Sequence, residues 1–336
     1  MSLAVQERSN HAALVGFVDL DERIAAALGP RAEAFRAYRR DWKRGAVPRP
    51  FPLQLDVELN RSCNLRCPMC TWSDPDAVNG AKGDWMPLER FRTIVTEGVP
   101  QGLRAVNLNG VNEPLLRPDL PEFVRAAREA GVLDVMLHTN GMLLTRRMAH
   151  ALIDAGLTRL MVSIDAATPA TYDRIRVGGD LDRVRRNVQQ FLDGRGDAVL
   201  PVLGVCFVET ALNADELDLF MTEWRGRADF FSIQSFINPW PGRPDKDALA
   251  ATGTRAPREF RCAQPFMRMS VRHDGAMSGC CTFWGTKMTV GHIADGVQAA
   301  WNGPTMASLR ETHAAGRWSD NPICRECVTH SFTEIV

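Results

Sequence analysis

From Leu53 to about residue 236, short apolar runs alternate with helix-length segments whose apolar residues recur every three or four positions. The pattern predicts strands at 53–59, 104–109, 133–138, 158–164, 200–208 and 229–236. Helices are predicted between them at 88–98, 120–130, 145–155, 181–193 and 214–225. Six strands separated by helices imply a parallel sheet of βα units and an α/β fold class. Upstream, residues 1–50 read as a helical preface. Within it Arg31 to Arg44 forms a cationic helix, ended by Gly45 and the Pro48–Pro50 stretch, and expected to lie solvated on the outside of the sheet. Residues 238–257 read as a linker, and 258–336 as a separate small domain with a hairpin over Met269 to Gly279 turned by His273-Asp274-Gly275.

Composition narrows the class without deciding it. The chain has 336 residues, 45% of them hydrophobic, which is enough for a large core plus an appendage. Forty basic residues balance forty acidic ones, so no bulk attraction to nucleic acid or to an anionic membrane is implied. No apolar run is long enough to cross a bilayer, and Glu7, Arg8 and Asn10 interrupt what a signal peptide would need. A cytoplasmic location is expected. In that reducing setting, nine cysteines point to metal ligation or catalysis before disulfides.

The cysteines fall into two constellations. Cys63, Cys67 and Cys70 stand as CxxxCxxC just after the first predicted strand. Three thiolates at that spacing can wrap one corner of a cubane iron–sulfur cluster and leave the fourth iron open to a small molecule. Structural zinc is the alternative, although zinc sites favour four ligands in CxxC pairs. The second set is Cys262, Cys280, Cys324 and Cys327, whose members the hairpin and the closing CxxC bring together as four ligands for one closed cluster or one zinc ion.

The first triplet resembles the signature of radical S-adenosylmethionine (radical SAM) enzymes, with Met69 where an aromatic residue is usual. The resemblance implies a partial (β/α)6 TIM-like barrel over residues 51–237, SAM chelated at the open iron, and a 5′-deoxyadenosyl radical that removes hydrogen from an unactivated carbon. It also implies SAM contacts at strand ends. Asn112, Glu113 and Pro114 resemble the family's GGEP segment, with the first glycine displaced. Thr139 and Asn140, followed by Gly141, are similar to its TNG; Ser163 and Asp165 are similar to its SxDG, with Ala166 in place of glycine. Glu209 at the fifth strand's end and Arg176 join them as secondary candidates, with Arg174 beside the latter.

The C-terminal set, with Gly275 between its first two cysteines, Val290 to Ile293, Ala300-Trp301-Asn302 and Met306 to Arg310, resembles the auxiliary-cluster domains called SPASM and twitch. With no cysteine after Cys327, the shorter twitch version (a β-hairpin plus helix) with one auxiliary [4Fe–4S] cluster is implied, making two clusters in all.

Substrate class rests on the same resemblance. The preface is too short for the leader-binding domain that peptide-modifying members carry. The seventeen residues between Cys262 and Cys280 are similar to the spacing of an aminocyclitol dehydrogenase. The expectation is therefore a sugar or aminocyclitol substrate in aminoglycoside-type antibiotic biosynthesis, with a reductant such as flavodoxin or ferredoxin, and with no nucleic acid or membrane partner. Two reactions stay open: epimerisation, favoured slightly, with Cys206 or Cys281 returning a hydrogen atom, and dehydrogenation to a ketone with the auxiliary cluster accepting an electron. Cys206 would face the chamber if Gly204, Cys206 and Val208 are the inward set of their strand. Rival readings are maturation of a ribosomally made peptide and a zinc-bound interaction protein without catalysis.

Overall fold

The computed structural model describes residues 4–8, 13–16, 19–74, 85–250 and 260–331. In chain order these form β1 (Ala4–Arg8), β2 (Ala13–Gly16), α1 (Leu20–Ala27), α2 (Ala32–Lys43), β3 (Gln54–Val57), α3 (Leu88–Gln101), β4 (Ala105–Asn107), α4 (Leu120–Ala130), β5 (Asp134–Thr139), α5 (Arg146–Asp154), β6 (Arg159–Ser163) and α6 (Pro169–Ile175). There follow α7 (Leu181–Arg195), β7 (Val202–Glu209), α8 (Leu217–Trp224), β8 (Phe230–Ser235), α9 (Pro244–Asp247), α10 (Gln264–Met267), β9 (Arg268–Val271), β10 (Ala276–Ser278), β11 (Thr289–His292), α11 (Val297–Trp301), α12 (Pro304–Ala314) and α13 (Pro322–Ser331).

Strands β3 to β8 pair side by side, all parallel, as the six expected βα units of a partial barrel. Helix starts carry side-chain caps where the sequence offers them: Thr145 accepts from the Met148 amide, Thr168 from Thr171 and Asp180 from Arg183. Along each strand, alternate residues face the helices. Leu55 and Val57, Val135 and Leu137, Leu160 and Val162, Leu203, Val205 and Phe207, and Phe231 meet Phe91, Phe123, Leu152, Val188, Phe191 and Phe220 in the main core. The other face lines the barrel's interior, and it is polar towards the strands' C-terminal ends, where Asp56, Asn107 and His138 border a cavity.

Three features depart from the sequence reading. The preface is helical only from Leu20, because β1 and β2 form a hairpin and β2 adds antiparallel to β8, extending the sheet by two strands. Nor do α1 and α2 lie on the exterior. Phe35, Tyr38, Ile24 and Leu28 are buried against Ala105, Leu133, Val202 and Phe230 in a second apolar cluster. These last four belong to or adjoin the strands' N-terminal ends, so the two helices plug the bottom of the barrel, while their arginines remain at the rim in ion pairs such as Arg39 with Asp21 at 3.0 Å. Finally, α6 and the short α9 were not anticipated. Residues 251–257 of the expected linker lie outside the described residues.

The C-terminal hairpin is not a detached module. β9 pairs parallel with β3, from Gln54 opposite Arg268 to Val57 opposite Val271, and β10 and β11 follow antiparallel. One eleven-stranded sheet thus runs from β1 to β11. At the hairpin turn Gly275 has φ 92°, and a β-carbon there would stand 2.7 Å from the Ile293 side chain, so glycine is required on both counts.

Candidate active site

The loop after β3 carries the three cysteines, and hydrogen bonds hold it to its neighbours. The Glu113 amide donates to the Ser62 carbonyl at 2.7 Å, and the Arg66 amide to that of Val177 at 2.9 Å. Leu65 N–H approaches Cys63 Sγ at 3.4 Å, Arg176 Nη1 lies 3.8 Å from Cys67 Sγ, and Asn140 Nδ2 lies 4.0 Å from Cys63 Sγ while bonding Asn64 at 2.9 Å. None of the nine cysteines forms a disulfide. Burial pushes the Cys63 thiol up to about 11 and Cys70 to about 12, and raises Cys67 as well. Three sulfurs this poorly solvated become thiolates readily only beside strong positive charge, which iron supplies, so the donor set fits a cluster.

Glu113 does not project free towards a ligand. Its carboxylate accepts from Thr139 Oγ1 at 2.7 Å, from the Asn140 amide at 2.8 Å and from the Leu115 amide at 3.0 Å. It is a buried clamp joining the loop after β4 to the loop after β5, and burial raises its pKa against those three donors. Asn112 bonds Asn60 at 2.6 Å, while Asn60 donates to the Glu113 carbonyl. Pro114 opens a buried turn. Gly110 is needed where it stands, since a β-carbon would meet Glu58 at 2.5 to 2.7 Å.

Asp165 adopts φ 63°, a left-handed conformation uncommon outside glycine, asparagine and aspartate. Its surroundings fix it there: Oδ1 accepts from the Val208 amide at 2.8 Å, the other oxygen pairs with Arg176, and its carbonyl accepts from Asn213 at 2.7 Å. Arg176 therefore reaches Asp165 and Cys67 together, whereas Arg174 is exposed on the outer side of α6. Glu209 is half-buried at the end of β7. Cys206 is buried on the barrel's inward face, sharing hydrogen bonds with Ser163 and Ser232, its register partners on β6 and β8. Burial and the nearby Asp165 push its thiol up to about 12.

The auxiliary cysteines also converge. Cys262, Cys280, Cys324 and Cys327 line one cavity whose other walls include Phe260, Pro265, Trp284, Leu309, Ile323 and Val328. Four sulfurs drawn from three segments into one apolar pocket fit a buried four-cysteine cluster. Cys281 points elsewhere, towards the chamber, with Arg268 Nη1 at 3.5 Å from its sulfur.

That chamber, about 410 Å³, runs from the ends of β3 and β4 to Cys280 and Cys281. Its polar lining includes Asp56, Glu58, Asn107, Asn109, His138, Gln234, Arg268 and Arg272. Arg268 pairs with Asp56 at 3.3 Å, and His273 bonds Glu58 at 2.7 Å. Burial lowers His138 to about 4, so its imidazole is neutral near pH 7. Above the cysteine loop, Lys246 donates to the Pro68 carbonyl at 2.6 Å, Arg243 pairs with Asp74 at 2.7 Å, and Trp240 packs on Phe283 at 6.0 Å between ring centres. The segment after β8 is thus fastened across the site rather than simply spanning two domains. Sequence reading missed Asn60, Asn213, Glu58, His273 and Lys246; only the strand-end position of Glu58 and Asn60 carried a signal.

With this geometry in place, comparison with known proteins decides the family. The radical SAM superfamily pattern matches residues 57–205, and the pattern of an iron–sulfur cluster-binding domain, SPASM, matches residues 262–328. A GTP 3′,8-cyclase of Xanthomonas axonopodis pv. citri is 33% identical over 236 residues, covering 67% of each chain. The chain belongs to the radical SAM superfamily. It binds SAM and two [4Fe–4S] clusters.

A probable GTP 3′,8-cyclase of Methanococcus maripaludis is 31% identical over 181 residues, 54% of this chain and 58% of that one, so the match spans little more than half the relative's length. Among solved structures, BtrN in complex with AdoMet and 2-DOIA superposes with a TM-score of 0.55 at 16% identity, covering 86% of this chain and 97% of BtrN. At that identity the likeness shows the fold alone. The expectation of an aminocyclitol or aminoglycoside dehydrogenase or epimerase is overturned, because the sequence relatives are named GTP 3′,8-cyclases. Cysteine spacing misled here: it reports how an auxiliary cluster is held, and enzymes of unrelated substrates hold one alike. Among the described residues no helix is long and apolar enough to cross a membrane.

Proposed function

We propose that this protein abstracts a hydrogen atom from a carbon of a small polar substrate in the 410 Å³ chamber, and that a purine nucleoside triphosphate of the kind its relatives are named for, GTP, is that substrate. The observation that carries the reading is the chamber itself, a polar space bordered at one end by the loop after β4 and at the other by Cys280 and Cys281.

When bound, the cluster and SAM supply the 5′-deoxyadenosyl radical. In this reading Cys63, Cys67 and Cys70 hold that cluster, and Cys262, Cys280, Cys324 and Cys327 hold the auxiliary one. SAM lies against Asn112, Thr139, Asn140, Ser163 and Glu209, while Glu113, Pro114 and Asp165 shape its seat from within the protein. Asp56 and Asn107 offer oxygens to substrate N–H or O–H groups. Arg268 and Arg272 offer cationic donors, and neutral His138 adds a hydrogen bond without charge. Ring closure between the 3′ and 8 positions conserves atoms: one electron from a donor such as flavodoxin or ferredoxin is spent on cleaving SAM, one hydrogen leaves to 5′-deoxyadenosine, and a second electron from such a donor and one proton from water return to the ring. The product is an isomer of GTP.

Anaerobically reconstituted protein, SAM, dithionite and GTP test this directly. GTP-dependent 5′-deoxyadenosine and a GTP-derived product of unchanged mass but altered chromatography are expected. If 5′-deoxyadenosine forms at the same rate without GTP, and GTP is recovered intact, the substrate assignment is refuted. If none forms under any condition, hydrogen abstraction itself is refuted.

A further inference from the structure

His313, on α12, is 2% exposed and lines the auxiliary cavity. Its two ring nitrogens have different partners. Nδ1 lies 3.3 Å from the backbone nitrogen of Cys262, and Nε2 lies 3.4 Å from the sulfur of Cys324. A backbone N–H only donates, so Nδ1 must be the accepting, unprotonated nitrogen. The ring proton of the neutral imidazole therefore sits on Nε2 and points at Cys324. One side chain thus ties two cysteines from opposite ends of the auxiliary set. Its neighbours in the cavity wall, among them Leu309, Ile323 and Val328, are apolar, a setting in which a single hydrogen bond weighs heavily.

We propose that His313 is a positioning residue of the auxiliary cluster: Nε2–H donates to the Cys324 sulfur, Nδ1 anchors the Cys262 backbone, and the N–H···S bond sets the cluster's reduction potential. A donor on a ligand sulfur draws negative charge from the cluster, which favours the reduced, more negative state and raises the potential. Cys280 has its own donors, Thr282 N–H at 3.4 Å and the Thr282 hydroxyl at 3.2 Å, so the auxiliary set holds side-chain donors on two of its sulfurs. The hydroxyl can rotate away, whereas the imidazole is locked by its second bond.

The test uses full-length protein in which Cys63, Cys67 and Cys70 are changed to alanine, so that only the auxiliary cluster gives a paramagnetic signal. Adding His313→Leu is expected to leave iron and sulfide content unchanged and to make the midpoint more negative, by about 59 mV for about a tenfold weaker preference for the one-electron reduced form. An unmoved midpoint with full iron overturns the proposal. Should the leucine variant fail to assemble a cluster, the protein with native His313, labelled with ¹⁵N-histidine, still decides. A weak hyperfine coupling from one histidine nitrogen supports a hydrogen bond to the ligand sulfur. A strong coupling, meaning iron bound directly by nitrogen, or no coupling at all, overturns it. None of these readouts depends on which substrate the chamber takes.

Discussion

Removing Arg176 should damage the protein more than any other single loss of charge in the site. Asp165 is wholly buried, and Arg176 is its partner, with only 13% of the guanidinium side chain exposed. In Arg176→Leu the carboxylate keeps the Val208 amide but loses its counter-charge. Breaking a buried pair from one side costs about 3 to 5 kcal/mol, out of a total stability of roughly 5 to 15. With a urea slope of about 3 kcal/mol per molar, the midpoint should fall by about 1 to 1.7 M, read by tryptophan fluorescence under anaerobic conditions.

The deficit should also depend on pH. Burial already pushes Asp165 above its usual 3.8 and Arg176 pulls it back, so without the arginine its folded pKa rises further while the unfolded value stays put. Between those two values the folded state holds a proton that the unfolded state lacks, hence stability of the variant rises as pH falls. The gap to wild type should narrow from pH 8 to pH 6. In the double variant Asp165→Asn, Arg176→Leu, no buried charge is left behind, and most of the loss should be recovered. A single-variant cost below about 1 kcal/mol, or a double variant as weak as the single, would refute the claim that Arg176 compensates the buried charge of Asp165.

Changing Cys324 and Cys327 together to serine should halve the iron of reconstituted protein, from about eight to about four atoms per chain, because each cubane holds four; colorimetric iron assay checks it. Changing Cys63 to alanine should abolish 5′-deoxyadenosine formation while leaving the auxiliary cluster's spectrum. His138 is held near 4 in the fold against an ordinary 6.5, so the unfolded chain takes up a proton first and stability falls as pH drops from about 6.5 towards 4. His138→Gln should remove part of that fall, seen as a shallower pH dependence of the urea midpoint. Phe35→Ala opens the plug beneath the barrel and should cost about 3 to 5 kcal/mol, without changing the substrate's KM, since Phe35 stands at the opposite end from the chamber.

How far these features can be read from sequence follows from the distance over which each is determined. The six parallel strands fall within a few residues of their predicted spans, because a strand buried on both sides writes a continuous apolar run into the chain: Val202 to Phe207 is an example. The capped starts of α5 and α7 are equally local. β1 and β2 write no such run, and their existence depends on pairing with β8, more than two hundred residues away. The plug was misplaced for a related reason. An amphipathic helix shows that it has an apolar side, but the surface receiving Phe35 and Tyr38 is assembled from four different strands. At the site, sequence identifies Glu113, Asp165 and Arg176 without revealing their aim. Their carboxylate and guanidinium groups are largely spent on the protein itself, in bonds that cross from one strand end to the next.

That inward spending explains why the chamber can be both polar and well defined. A cavity wall of unpaired charges would collapse on its own counter-ions or fill with water. Here Asp56 is matched by Arg268 on the next strand, and Glu58 by His273 two residues beyond β9. Both matches exist because β9 pairs with β3 in a register that sets Asp56 opposite Ser270. The auxiliary domain is therefore part of the chamber wall through backbone hydrogen bonds, and its cysteines keep a fixed place relative to the Cys63–Cys70 loop. Substitutions that break the β3–β9 ladder should uncouple substrate-dependent from substrate-independent cleavage of SAM, even when both sets of cysteines remain intact.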